Sequence, residues 1–294
     1  MSNNSHRDPL KRLLIPLLAY WGTIMVASVL VGLVLTLFNA EELGQITGGA
    51  DLADSSVMQQ VMILYMKAML KYQTQIQGIV MLCTIPVSYF FFFRKDRMWE
   101  KEHQIPVPEQ APAKDYIWLV VFGIAFNLGM SCLMTLTNLA TSDQGYLDTS
   151  AAFYYAPVPI QILCLGIIVP LAEELMFRGI LFKRSKENST FWAAAIFSSI
   201  MFVLVHSNSV QMIYTMVLGL FLAYVYEKYG SFKAPVLVHM TVNLAAVTGQ
   251  ASGAYGWIGS STMRMGAAVV ICTFVSVAMV VLIRGLGRTE EEKS

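Results

Sequence analysis

The sequence predicts an all-α, polytopic membrane protein of about eight transmembrane helices. Three observations carry this. The composition is 56% hydrophobic and 13% charged with a mean hydropathy of +0.57, far from the soluble average. Apolar runs of membrane-crossing length recur along the chain. With roughly 20 apolar residues needed per span, 294 residues hold those helices and no separate soluble domain.

The first run, residues 13–38, follows Arg7, Lys11 and Arg12. It is too long for a signal-peptide core and lacks a small-residue cleavage site after it, so a retained first helix is expected. A polar stretch with Gly48, Gly49, Asp51 and Asp54 follows. In residues 57–72, Gln60, Lys67 and Lys71 share one helical face opposite Met62, Met66 and Met69, which suits a helix lying along the interface. The second span, 76–93, ends at Arg94, Lys95 and Arg97, and Pro106, Pro108 and Pro112 then mark a loop. Further spans are expected at 116–140, 158–182, 191–206, 210–226, 234–248 and 267–283. There is no heptad seam, internal repeat or low-complexity tract, and the charged residues 288–294 read as a solvated tail. Three parts result: N-terminal helices (1–150), a core (151–250), and the last span with its tail (251–294).

Alternate threading from an inside N-terminus leaves only Lys67, Lys71 and Arg264 of the 20 basic residues outside, with Arg178 inside the membrane. That asymmetry places both termini in the cytoplasm. A net charge of +1 gives no reason to expect nucleic acid, and the basic clusters between apolar runs report orientation in a lipid bilayer. Cys83, Cys132, Cys164 and Cys272 lie in apolar runs without CxxC pairing and read as small buried hydrophobes.

A charge at the bilayer centre costs about 2.5–3.5 kcal/mol on insertion scales, so ionisable residues there are functional candidates by default. Of 19 acids only Glu173 and Glu174 lie well inside an apolar run, and of 4 histidines only His206 and His239 do. The two glutamates point about 100° apart around a helix and so take different roles. Glu174 and Arg178 stand i, i+4 with the acid first, the favourable order for an intrahelical ion pair. Glu173 is left as a carboxylate without a local partner, suited to taking a proton from water and returning it. His206 closes a wholly apolar run beside Ser207 and Asn208. Alone it reads as a structural histidine, and Phe202 alone reads as core packing. His239 and Asn243, again i, i+4, project from one face and can build an oxyanion hole.

EExxxR, FxxxH and HxxxN, in this order in apolar helices, resemble the CPBP family of intramembrane proteases. That family includes the type II CAAX prenyl endopeptidases and the Abi bacteriocin-processing or immunity proteins of bacteria. The resemblance covers residues 158–248 and implies a peptidase in a bacterial cell membrane acting on a membrane-associated peptide or protein, CAAX-type or a leader or precursor peptide. It implies Glu173 as the water-activating residue with His206 assisting, His239 and Asn243 stabilising the oxyanion, and Glu174 with Arg178 bracing the site.

The family is often labelled as metalloprotease, and Glu173, His206 and His239 offer the three ligands of a catalytic zinc site. The sequence lacks HExxH, so a metal-free route with no cofactor, in which hydrogen-bond donors replace the Lewis acid, stands beside it. Two other classes compete. A non-enzymatic immunity or scaffold protein would use the same polar residues to tie helices together, and an ion pathway would use them as a relay. No paired broken helices in matching halves support the latter. Regular helices place His239 near the inner side and His206 near the outer end of its span. One site therefore requires a short, tilted or broken helix.

Overall fold

The computed structural model describes residues 8–48 and 54–286. Arg7, Gly49, Asp51 and the charged tail at 288–294 lie outside the described residues. The chain is helical from end to end, with no strand among the described residues. Its helices are α1 (Pro9–Phe38), α2 (Ala40–Thr47), α3 (Ser55–Glu102), α4 (Tyr116–Leu136), α5 (Leu139–Ser142) and α6 (Gln144–Phe153). These are followed by α7 (Val158–Lys186), α8 (Phe191–Val203), α9 (Ser209–Tyr229), α10 (Lys233–Ala251), α11 (Ala254–Gly259) and α12 (Thr262–Arg284). The starts are set by short polar side chains. Asp8, Asp54, Thr190, Asn208 and Ser261 each accept a hydrogen bond from a backbone N–H of the first turn, which satisfies donors the helix cannot.

All eight expected apolar segments are helical, and six helices (α1, α3, α4, α7, α9 and α12) are long and apolar enough to cross a membrane. α8, at 13 residues, is shorter, and α10 has 19 residues interrupted by His239 and Asn243. α7 lies at the centre, with 61% of its apolar window buried against 11% for both α1 and α12. Leu17 and Tyr20 of α1, Met81 of α3, Met176 and Phe177 of α7 and Phe202 of α8 form one core on its side. A second core joins Phe122, Leu222 and Val238 of α4, α9 and α10.

Three boundaries differ from those expected. Residues 57–72 are the first part of α3, which runs 48 residues to Glu102. Gln73, Thr74 and Gln75 contain no helix breaker, and Thr74 is buried, donating to the Phe153 carbonyl at 2.6 Å. At 1.5 Å per residue α3 is about 72 Å long, more than twice a hydrocarbon core of about 30 Å. α4 stops at Leu136 because Asn138 takes a left-handed conformation with φ of 61°, and two short helices, α5 and α6, follow. α8 stops at Val203, so His206 does not close it but lies in the loop to α9. The proline-bearing stretch 105–112 is non-helical, as its composition requires.

One end of the bundle is clasped by charge. Asp96 of α3 accepts two hydrogen bonds from Arg184 of α7, at 2.7 and 2.9 Å, and Arg184 also donates to the Arg12 carbonyl of α1 at 2.6 Å. Arg12 pairs with Glu187, and Lys186 with Glu227 at the end of α9. Arg97 donates to the Tyr226 hydroxyl at 2.8 Å. Asp96 and Arg184 are both buried, and removing one partner of a buried pair strands the other. Asp96→Ala is therefore expected to destabilise the protein by about 3 kcal/mol, read as a lowered midpoint of unfolding in detergent, with an exposed control such as Glu102→Ala unchanged.

Candidate active site

The site begins with an irregularity in α7. Residues Ile162–Ile168 and Phe177–Phe182 are π-helical, flanking the α-helical turns Val169–Met176 that carry both glutamates. The Val169 N–H reaches back five residues to the Cys164 carbonyl, and Pro170 has no N–H to give. The Leu165 carbonyl is thus freed from the helix ladder. Asn243 of α10 fills it, its Nδ2 donating at 2.9 Å. The close approach needs glycine. A Cβ on Gly166 would stand 2.5 Å from Leu244 Cδ2 and 3.1 Å from its Cγ.

With α10 docked on that carbonyl, His239, one turn earlier, meets Glu174. Its Nδ1 lies 2.8 Å from Glu174 Oε1, and the same oxygen accepts from Arg178 Nη1 at 2.9 Å. Glu174 and Arg178 are fully enclosed, at 0% exposure. The carboxylate, paired with a guanidinium, can only accept, so Nδ1 of His239 is the protonated nitrogen and Nε2 is the one turned away. Phe202 is the wall behind all of this. The guanidinium of Arg178 lies over its ring at 4.6 Å, and the rings of His206 and His239 meet it edge to face at 5.1 and 5.6 Å. Gly219 of α9 makes room on the other side, since a Cβ there would stand 3.0 Å from Arg178 Nη2 and 2.8 Å from Ser199 Oγ.

Glu173 faces elsewhere. It lines a cavity of ≈ 870 Å³ together with His206, His239 and Asn243, whereas Glu174, Arg178 and Phe202 are not part of its wall. Its Oε2 is 3.7 Å from His239 Nε2, beyond hydrogen-bond distance. His206 directs Nδ1 to the Phe202 carbonyl at 3.0 Å, which protonates that nitrogen and leaves Nε2 as an acceptor. The four residues expected to be catalytic therefore share one cavity, and the three expected to support them lie behind it. The mismatch in depth disappears because α8 is short and the chain turns back at the level of the site.

The expected metal set is corrected. Among the described residues no three His, Cys, Asp or Glu side chains are grouped to hold a metal ion, so Glu173, His206 and His239 do not form one.

Other cavity residues were not anticipated. Asn127 of α4 donates to the Tyr214 hydroxyl of α9 at 3.0 Å and accepts from the Tyr255 hydroxyl of α11. The available signal was a lone carboxamide within the apolar run 116–136. Over the cavity, α6 contributes Tyr146 and Asp148 and is tied to the start of α9 through Asp143, which accepts from Ser209 Oγ and, at 3.0 Å, from its N–H. The Ser209 hydroxyl first, then the Tyr146 N–H, hold this carboxyl below the usual carboxylate range.

Residues 155–245, which contain the whole constellation, match the family model described as type II CAAX prenyl endopeptidase Rce1-like. The UPF0177 protein YxdF of Lactococcus lactis subsp. lactis (strain IL1403) is 34% identical over 138 residues, 45% of this chain and 75% of that protein. A Bacillus subtilis (strain 168) protein named "Putative membrane peptidase YdiL" is 26% identical over 108 residues, 37% of this chain and 44% of its own length. An uncharacterised 24.3 kDa Escherichia coli protein is 34% identical over 88 residues, 28% of this chain and 41% of its own length. The chain thus spans three quarters of the first relative and less than half of the other two. No solved structure matches it.

Arg178→Met would leave Glu174 buried with His239 as its sole partner among the described residues. A loss of about 3–5 kcal/mol is expected, measurable as a lowered unfolding midpoint in detergent. A loss below about 1 kcal/mol, the range of an exposed pair, would show that the ion pair does not hold the site.

Proposed function

Because the chain belongs to the Rce1-like family of type II CAAX prenyl endopeptidases, which are membrane peptidases, we propose that it is an intramembrane endopeptidase in which Glu173 activates water. Its substrate is a membrane-associated peptide or protein, either CAAX-type or a leader or precursor peptide. The observation that carries this is the division between neighbours. Glu173 is open to the cavity while Glu174 is sealed with Arg178 and His239.

Glu173 takes a proton from a water in the cavity, and His206 Nε2 accepts that water's other hydrogen and orients it. The water oxygen forms a bond to the carbonyl carbon of the scissile peptide. The resulting oxyanion is met by His239, which donates through Nε2 when its ring is protonated, and by the amide N–H of Asn243 that Leu165 does not use. Glu173 then gives its proton to the departing amine nitrogen as the C–N bond breaks. Glu174 fixes the His239 ring in place, and Arg178 holds Glu174. Preorganised donors in a water-poor site act more strongly than in bulk water, which is what a metal-free route requires. The clasped end, with both termini, is read as cytoplasmic in a bacterial cell, and the concentration of basic residues there supports this orientation.

The test is cleavage of an internally quenched peptide by the full chain in proteoliposomes. Glu173→Gln is expected to lower turnover roughly 10²–10⁴-fold, the range for loss of a general base, with the unfolding midpoint unchanged. His206→Ala and His239→Ala lower it as well, and a chelator leaves it unchanged. Turnover retained in Glu173→Gln would remove Glu173 as the base, and no cleavage by the wild type would instead favour the immunity or scaffold reading, in which these residues only tie helices together.

A further inference from the structure

The cavity and the ionic clasp occupy opposite ends of the bundle. Cavity positions fall in the first halves of α7 and α9 (Leu165 to Glu173, Val210 to Leu218), in the second half of α4 (Asn127 to Thr135), and from His239 to Gln250 on α10. The clasp joins the starts or ends of the same bundle at Arg12, Asp96, Arg184, Lys186 and Glu227. Charge is also divided. No Lys or Arg is among the cavity-lining residues, whose only carboxylates are Asp148 and Glu173, and the rest of the polar wall is amide, hydroxyl, the Cys132 thiol and the imidazoles of His206 and His239.

From this we propose that the cavity receives its substrate from the extracytoplasmic side and takes a neutral or cationic internal segment, rejecting a chain that ends in a free carboxylate near the scissile bond. The proposal rests on the peptidase reading above and narrows its substrate. Positive charge at the clasp sets that end in the cytoplasm, so the cavity mouth faces outward. A CAAX terminus carries its carboxylate three residues beyond the modified cysteine. Within this cavity that charge would meet two carboxylates and no Lys or Arg, with the one nearby imidazole, His239, standing beside Glu173, an arrangement that discriminates by repulsion. Amides such as Gln73, Gln77 and Gln250 instead match the N–H and C=O groups of an extended internal segment. A leader or precursor peptide cut within its chain fits, and a cytoplasmic prenylated terminus does not.

The test reads access and charge without using turnover. The full chain, with Cys83, Cys132, Cys164 and Cys272 replaced by alanine, receives single cysteines. Ser131→Cys and Thr149→Cys lie in the cavity wall on two separate helices, Ser252→Cys lies exposed beyond α10, and Ser189→Cys lies between α7 and α8. Right-side-out spheroplasts are treated with two impermeant methanethiosulfonates, one carrying trimethylammonium and one sulfonate. Both cavity cysteines are expected to react without permeabilisation, and Ser189→Cys only after it. The ratio of cationic to anionic rates in the cavity is expected to be at least about tenfold that at Ser252→Cys, the lower range of charge focusing in a cleft. Cavity labelling only after permeabilisation overturns the side of access, and an equal or inverted ratio overturns the charge selection. Failure of the peptidase reading appears separately, as no cleavage of the quenched peptide by the wild-type chain.

Discussion

The ion pair of Glu174 with Arg178 governs the architecture around it. Both side chains have no exposed surface, in a chain whose surroundings are lipid rather than water. Removing two charges from water costs several kcal/mol for each ion, recovered only where geometry and further hydrogen bonds are good. The fold meets that condition in part by assembling neighbours, since Phe202 lies beneath the guanidinium, Gly219 leaves it room and His239 donates to Glu174 Oε1, while Glu174 Oε2 and Arg178 Nε and Nη2 find no protein partner among the described residues. Each comes from a different helix, α8, α9 and α10. The pair therefore determines which helices must surround α7, and α7 is accordingly the most enclosed span. An isolated i, i+4 pair on a surface helix would impose no such order.

The second constraint is backbone chemistry. In lipid an unpaired carbonyl is expensive, so irregular helix is tolerated only where another group satisfies it. The π-helical turn and Pro170 release the Leu165 carbonyl, and Asn243 accepts the task. Side chain and defect depend on each other. The same bond places His239 against Glu174, so the helix irregularity is part of how the site is aligned, as π-bulges at functional positions often are. Asn243 therefore fixes α10 through its amide and also lines the cavity.

Much of this was legible in the sequence because it is local. Apolar runs give the eight helices, and i, i+4 spacing gives the Glu174–Arg178 pair and the shared cavity-facing side of His239 and Asn243. What was not legible depends on contacts across the fold. Residues 57–72 look like a separate amphipathic helix because Lys67 and Lys71 lie on one face, yet nothing after Tyr72 breaks the helix. Hydropathy continues past Val203, so it does not reveal that α8 ends there and returns at His206. Asn127 and Tyr255 are 128 residues apart, and only packing pairs them.

The separation of clasp and cavity has an energetic logic. Elements that must admit a ligand are drawn from the less stable parts of a structure. Here the bidentate Asp96–Arg184 pair and its neighbours tie α1, α3, α7 and α9 at one end. At the other, α5, α6 and α11 are short helices over the cavity, held by hydrogen bonds such as those of Asp143 with Ser209 and Tyr255 with Asn127. The ionic anchor thus lies at the end away from the cavity, and the short elements over Glu173 are tied by hydrogen bonds that do not involve the buried Glu174–Arg178 pair. A site with its clasp on the substrate side would have to break ion pairs to open. By placing the two at opposite ends of the same helices, the fold keeps the alignment of the reactive groups independent of access to them.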